Sequence, residues 1–192
     1  MTTATAEKIK SECFDHVIIA TGADPLIPPV PGIHGPNVYE STDVLTGKSV
    51  LKGQNIVVLG GGLVGCETAA FLSENNEKVS IVEMLSDILV TAVHAINNDL
   101  GLKNLLSQCD LDIHVGTKAL EIKEDCVVAE NANGTFTIPC DAVVVATGYR
   151  ANRSLADSLD GIVEYTIIGD NVKARKIYDA VHEGFNAARN LR

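Results

Sequence analysis

Asn55-Ile56-Val57-Val58-Leu59-Gly60-Gly61-Gly62-Leu63-Val64-Gly65-Cys66-Glu67 decides the fold of this chain. The apolar run from Ile56 to Leu59 is unbroken and of strand length. Such a run marks a strand buried on both faces, as in a parallel sheet. Gly60-Gly61-Gly62 breaks it. Leu63, Val64, Ala69, Ala70 and Leu72 then recur at helical spacing and predict a helix from Leu63 to Asn75, ended by Asn75-Asn76. Val79 to Glu83 is a second strand, so the stretch forms one βαβ unit of about 30 residues.

Gly60-x-Gly62-x-x-Gly65 sits where this strand gives way to this helix. Gly60 permits the tight turn, Gly62 lets a pyrophosphate approach the backbone, and Gly65 lets helix and strand pack closely. The free amides around Gly62, Leu63, Val64 and Gly65, together with the helix dipole, then face the phosphates. Glu83 lies 21 residues beyond Gly62, at the end of the second strand. A carboxylate there accepts from the adenosine ribose hydroxyls, which favours NAD(H). An NADP(H) site would want an arginine, and Met84, Leu85 and Ser86 carry no positive charge. The alternative, a glycine-rich turn with an incidental surface Glu, requires strand, glycines, helix and acid to coincide by chance. Glu67 falls in the first helical turn, where a carboxylate complements the helix N-terminus by ~0.3–1 kcal/mol.

Outward from this unit the pattern changes. Phe14 to Ala20 is a β-branched strand closed by Thr21-Gly22. Five prolines in the twelve residues 25–36 make a semi-rigid connector. Ser41 or Thr42 caps a short helical segment around Asp43-Val44-Leu45. Ala95 to Gln108 predicts a second helix with Leu100, Leu102, Leu105 and Leu106 on its buried face. The runs 112–115, 119–123, 126–130 and 135–138 read as an antiparallel meander, with Asn133-Gly134 as its hairpin signal. Ala142 to Ala146 is another doubly buried strand, closed by Thr147-Gly148. A last strand covers Tyr165 to Gly169, and an amphipathic helix Ala174 to Leu191.

Composition narrows the function classes. The 192 residues are 46% hydrophobic and carry a net charge of −10. That charge disfavours a nucleic-acid partner, and no apolar run reaches membrane-spanning length. Five scattered cysteines without Cys-x-x-Cys disfavour a zinc ribbon, a cluster held wholly within the chain, or a local redox disulfide. They fit idle thiols in a reducing cytoplasm. Gly47-Lys48-Ser49 is no P-loop, because Thr42 stands where the pattern needs glycine. The five histidines have no ligand spacing, so there is no metal site to propose.

The motif order is that of a known superfamily: Ile18-Ile19-Ala20-Thr21-Gly22, the glycine motif with Glu67, Val145-Ala146-Thr147-Gly148, then Ile168-Gly169-Asp170. It resembles the two-dinucleotide-domain flavoproteins, in which an NAD(P) domain is inserted into an FAD domain. The segment Ile168 to Phe185 is similar to the 2-enoate reductase and 2,4-dienoyl-CoA reductase group. The resemblance implies a Rossmann-like α/β fold, a parallel sheet with an antiparallel crossover meander, plus partial FAD-domain remnants. It divides the chain into 1–41 (FAD remnant), 42–150 (NAD(H) domain) and 151–192 (FAD remnant). The two Ala-Thr-Gly strands mark the crossings between domains. It further implies that Gly148 lies near the nicotinamide, that Glu67 approaches the nicotinamide ribose, and that Asp170 serves the ribityl chain of FAD.

The stretch before Phe14 contains no glycine, so the opening motif of an FAD domain is missing and the chain reads as a fragment. The parent is then an NADH-dependent flavin oxidoreductase acting on an activated carbon–carbon double bond. FMN and an iron–sulfur cluster would belong to its missing domains. The alternatives are the same module of another flavin-dependent NADH oxidoreductase (an NADH oxidase or ferredoxin reductase type), or a non-catalytic nucleotide-binding domain. The fragment alone is expected to be inactive, and its remnant sheet to present an apolar edge at Val17-Ile18-Ile19 that makes a homodimer.

Overall fold

The computed structural model describes residues 2–74, 78–90 and 96–191. The chain opens with α1 (Ala6–Glu12), β1 (Val17–Ile19), β2 (Ala23–Pro25), β3 (Val38–Glu40) and α2 (Ser41–Leu45). The motif region gives β4 (Asn55–Leu59), α3 (Leu63–Glu74) and β5 (Lys78–Val82). Then follow α4 (Ile96–Leu106), β6 (Leu111–His114), β7 (Lys118–Ile122), β8 (Cys126–Asn131), β9 (Gly134–Pro139) and β10 (Ala142–Val145). The chain ends with β11 (Tyr149–Ala151), α5 (Ser154–Ser158), β12 (Tyr165–Ile167), a 3-10 turn at Gly169–Asn171 and α6 (Ile177–Asn190).

Two compact units emerge, 25–148 and 1–24 with 149–192. The first is built on a five-stranded parallel sheet in the order β3-β10-β4-β5-β6. Its central strands are apolar at successive positions because both faces are covered. Ile56, Val58, Val79, Ile81 and Val144 meet Cys66, Ala69, Ala70 and Leu72 of α3 on one face. Val57, Leu59, Val82, Val143 and Val145 meet Ile122, Val127, Ala129 and Ile138 of the meander β7-β8-β9 on the other. This is the α/β, Rossmann-like arrangement the sequence predicts.

The differences have local causes. The run 112–115 is not meander: β6 extends the main sheet, pairing Ser80 with Asp112 and Val82 with His114 in parallel. The polar residues Asp112 and His114 suit an edge strand, which carries one neighbour only. The meander begins at β7 and turns through the hairpin Asn131↔Gly134, where Asn131 Oδ1 accepts from Asn133 N at 2.9 Å. Glu40, rather than Ser41 or Thr42, caps α2, its Oε1 accepting from Thr42 N at 3.2 Å. On α4, Leu106 is buried and Leu102 packs on the core, whereas Leu100 and Leu105 are exposed. The expected helix stop at Asn75-Asn76 and start at Ala95 lie outside the described residues. The connector 25–37 and β3 belong to the nucleotide-fold unit, so the division falls at 24/25 and not at 41/42. The cause is the parallel pairing of β3 with β10, Val38↔Val143 to Glu40↔Val145.

The second unit has a smaller core of Ile9, Ile19, Ala156 and Leu159. β1 pairs with β12 in parallel, Val17↔Tyr165 to Ile19↔Ile167, as the two β-branched runs suggest. No strong sequence pattern marks helix α1, although Thr5 caps it by accepting from Lys8 N at 3.3 Å. Asn152 ties the segments together. Its N–H donates to Gly22 O at 3.0 Å, and its carbonyl accepts from Thr21 Oγ1 at 2.9 Å and from Asn171 Nδ2.

Candidate dinucleotide-binding site

The turn from β4 into α3 uses its glycines for three different reasons. Gly60 has φ +108, and a Cβ there would come within 2.5 Å of Ala146 O. A Cβ on Gly65 would lie 1.9 Å from Gly60 O, so helix and turn touch backbone to backbone. Gly62 faces open space, with no atom within 4 Å of where its Cβ would be. Only the last of these leaves room for an incoming group. The first-turn amides from Gly62 to Gly65 precede the first helical bond, Cys66 N to Gly62 O at 2.9 Å. Amides in that position lack a helical acceptor and suit an anion.

Glu83 locks the turn. Its Oε2 accepts from Gly61 N at 2.5 Å and its Oε1 from Leu85 N at 2.8 Å. Gly61 is held from the other side as well, its carbonyl accepting from Leu89 N at 2.7 Å and from Cys66 Sγ at 3.4 Å. Leu89 adopts φ +62 and is buried. A non-glycine residue there costs about 1–2 kcal/mol, which the surrounding packing offsets. Burial, with the charges of Glu83, Glu67 and Asp87 adding to it, pushes the Cys66 thiol up to about 12. It stays a neutral packing group.

A cavity of about 450 Å³ opens beside the turn. Gly60 and Glu83 line it together with Leu26, Pro28 and Val30 of the connector, Thr147 of the second Thr-Gly, and Thr117, Lys118 and Leu120 at the start of the meander. Thr147 Oγ1 donates to Leu26 O at 2.5 Å and Leu26 N to Gly148 O at 2.9 Å, which fixes the connector as a wall. Thr117 N donates to Glu83 O at 2.8 Å and Gly116 N to Leu85 O at 2.7 Å, which fixes the opposite wall.

The structure therefore brings together Gly60, Gly62, Leu63, Val64, Gly65 and Glu83, with Gly148 beside Thr147. Glu67 is exposed, but α3 begins at Leu63 and carries no acid in its first turn, so Glu67 stands just beyond the position expected for it. Asp170 belongs to the other unit, where its Oδ1 accepts from Arg175 N at 3.0 Å. In the same turn Asn171 Oδ1 is buried without a partner among the described residues. Sequence reasoning missed the connector prolines, Leu89 and Lys118 as parts of this site. No local pattern marks them, since each reaches the turn only through the tertiary fold.

A Gly-x-Gly-x-x-Gly turn between a buried parallel strand and a helix, backed by an acid at the end of the next strand, defines a dinucleotide-binding module. Residues 2–168 match the family described as pyridine nucleotide-disulphide oxidoreductase, and the chain belongs to it. Its cofactors are FAD and NAD(H), and its relatives are flavin oxidoreductases. The chain is 39% identical to a bilirubin reductase of Mediterraneibacter gnavus over 98% of its own length and 29% of that protein's. It is 38% identical to an NADH oxidase of Thermoanaerobacter brockii, covering 97% of itself and 29% of that relative. Among solved structures, a 2-naphthoyl-CoA reductase complex superimposes with a TM-score of 0.89 at 34% identity. That match covers 100% of this chain and 29% of the other. The chain thus spans about a third of the length of the relatives it matches.

Proposed function

We propose that residues 25–148 bind NADH and orient it for an FAD held by a larger parent enzyme. One observation carries this reading: Glu83, tied to the glycine turn through Gly61 N, lines one cavity with Gly60 and Thr147. At the turn beside this cavity the amides of Gly62, Leu63, Val64 and Gly65 take the pyrophosphate; Glu83, in the cavity wall, takes the adenosine ribose, and Gly148, next to the lining residue Thr147, borders the nicotinamide half. Glu67 serves the nicotinamide ribose. NADH supplies a hydride and FAD accepts it. Asp170 holds the ribityl chain of FAD in the parent, within the remnants 1–24 and 149–192. This chain alone holds FAD poorly and transfers no hydride, because it lacks the glycine motif that grips the other half of that cofactor.

The parent's acceptor is an activated carbon–carbon double bond. The bilirubin and 2-naphthoyl-CoA reductases carry names of enzymes acting on conjugated molecules, which favours this reading. The NADH oxidase favours the second one, the same module in another flavin-dependent NADH oxidoreductase with a different acceptor. FMN and an iron–sulfur cluster belong to the missing domains under the first reading, and the protein works in the cytoplasm, with all five cysteines free. A second copy pairs through the open edge of β1, where Ile18 is exposed. Light scattering against Ile18→Lys tests that contact, and a monomer at every concentration rejects it.

Titrating NADH and NADPH against the 192-residue chain tests the site. NADH binds at least about tenfold tighter, roughly 1.4 kcal/mol, and Glu83→Ala narrows the gap. Equal affinities in the unsubstituted chain would refute the assignment of Glu83.

A further inference from the structure

The cavity wall that carries Glu83 also carries a cation that the strand-end sequence does not reveal. Met84, Leu85 and Ser86 are uncharged, but the fold brings Lys118 to the same cavity from the first position of β7. The route is rigid. Thr117 N donates to Glu83 O, and Gly116 N to Leu85 O, so the residue before Lys118 is fixed to the strand end that bears the acid. Lys118 is exposed and is the one cationic side chain among the described residues lining the cavity. Thr117, Ala119 and Leu120 on that wall are neutral, Glu130 stands opposite Lys118 across the β7–β8 ladder, and the chain as a whole carries −10.

We propose that Lys118 is a specificity-determining residue that reads the 2′ position of the adenosine ribose. This rests on the cavity being the dinucleotide site. Glu83 takes the ribose hydroxyls of NADH and repels a 2′-phosphate. Lys118, on the same wall, supplies one positive charge where that phosphate would stand. The pyrophosphate is served elsewhere, by the amides at the start of α3, so the lysine is left to the ribose end. The preference for NADH is therefore set by a pair of opposite charges and not by the acid alone, and NADPH is admitted as a weaker ligand.

The test measures dissociation constants of NADH and NADPH, by nicotinamide fluorescence, for the 192-residue chain and for Lys118→Glu, Lys118→Met and Lys118→Arg. Melting temperatures serve as the folding control, and an exposed side chain should leave them unchanged. Lys118→Glu is expected to widen the NADH preference by about fivefold or more, the scale of an exposed charge pair removed and reversed. Lys118→Arg keeps the parent ratio. In Lys118→Met the salt dependence of NADPH binding becomes shallower, whereas that of NADH changes little. Ratios within twofold of the parent in both Lys118→Glu and Lys118→Met would overturn the proposal. An equal loss for both dinucleotides overturns it too and assigns the lysine to the shared pyrophosphate. If the unsubstituted chain binds neither ligand, the reading of the cavity falls together with it.

Discussion

The two units bury their apolar residues very differently. In 25–148 every position of β10 is buried, and the sheet is sandwiched between α3 and α4 on one face and the meander on the other. In 1–24 with 149–192, two-stranded sheets replace the five-stranded one. Helix α6 is amphipathic yet contains no buried residue, and Ile177, Val181 and Phe185 lie along it at i, i+4 and i+8 with exposures of 84%, 62% and 62%. Amphipathic pattern alone therefore does not make a core; a face stabilises only when another element covers it. The nucleotide-fold unit has two extended apolar clusters, whereas the other unit joins one small core to short ladders and polar ties such as Asn152. Hydrogen exchange would follow the same division, with the amides of β1 and β12 opening at lower free energy than those of β4 and β10.

Two glycines, one in each unit, separate these regimes most sharply. Gly65→Ala drives a Cβ to 1.9 Å from Gly60 O, a backbone atom that cannot swing aside. We expect unit 25–148 to lose about 4 kcal/mol or more, at the extreme of single substitutions, and to lose dinucleotide binding with it. Gly184→Ala lies inside α6, with Ile168 Cδ1 at an ordinary 3.6 Å. There the helix gains up to about 1 kcal/mol from the better helix former. Thermal melts of the two variants check the contrast, and it breaks if both shift in the same direction.

Apolar truncations give the next effect. Ile81 is fully buried between α3 and its neighbouring strands, so Ile81→Ala should cost about 2–5 kcal/mol through lost transfer and a cavity. Phe185→Ser, on the exposed stripe of α6, should stay within about 0.5 kcal/mol. Urea unfolding followed at both units measures this. A large loss for Phe185→Ser would mean that something covers α6 in solution.

The sequence revealed most where chemistry and packing are local. The apolar run 56–59 followed by glycines fixed strand, turn and helix, and Glu83 was found by spacing alone. Its partner Gly61 was not, because that bond depends on how β5 lies beside β4. The period of 112–115 is strand-like, but period does not say which sheet a strand joins. The connector prolines announce rigidity without saying what they wall in, and Lys118 reaches the cavity only through the bonds at 116–117. Helix α1 is short, and its single-residue cap is too common a pattern to stand out.

Acid should distinguish the units by the smallest margin: Asp141 is held below its ordinary range in 25–148, and Glu183, with Glu7, in the other unit. In the nucleotide-fold unit Asp141 Oδ2 accepts from Asn55 N at 2.8 Å, Gln54 N at 2.9 Å and Asn55 Nδ2 at 3.0 Å. Those donors favour the charged form and lower its pKa from 3.8. In the other unit Glu183 accepts from Arg175 Nη2 and, at 2.7 Å, from Gly169 N, lowering it from 4.5. A depressed folded value means that the stabilisation is complete above the unfolded value and is lost as pH falls through the folded one. Loss should therefore begin just below 4.5 for the unit with Glu183, and nearer 3.8 for the unit with Asp141. Glu183→Gln should lower the melting point of its own unit at pH 7 and flatten its decline in acid. Asp141→Asn should do the same in 25–148 and leave the other unit unchanged. Melting curves from pH 7 to pH 3 decide it: a variant that keeps the parent's acid slope shows that its carboxylate is not the group that titrates.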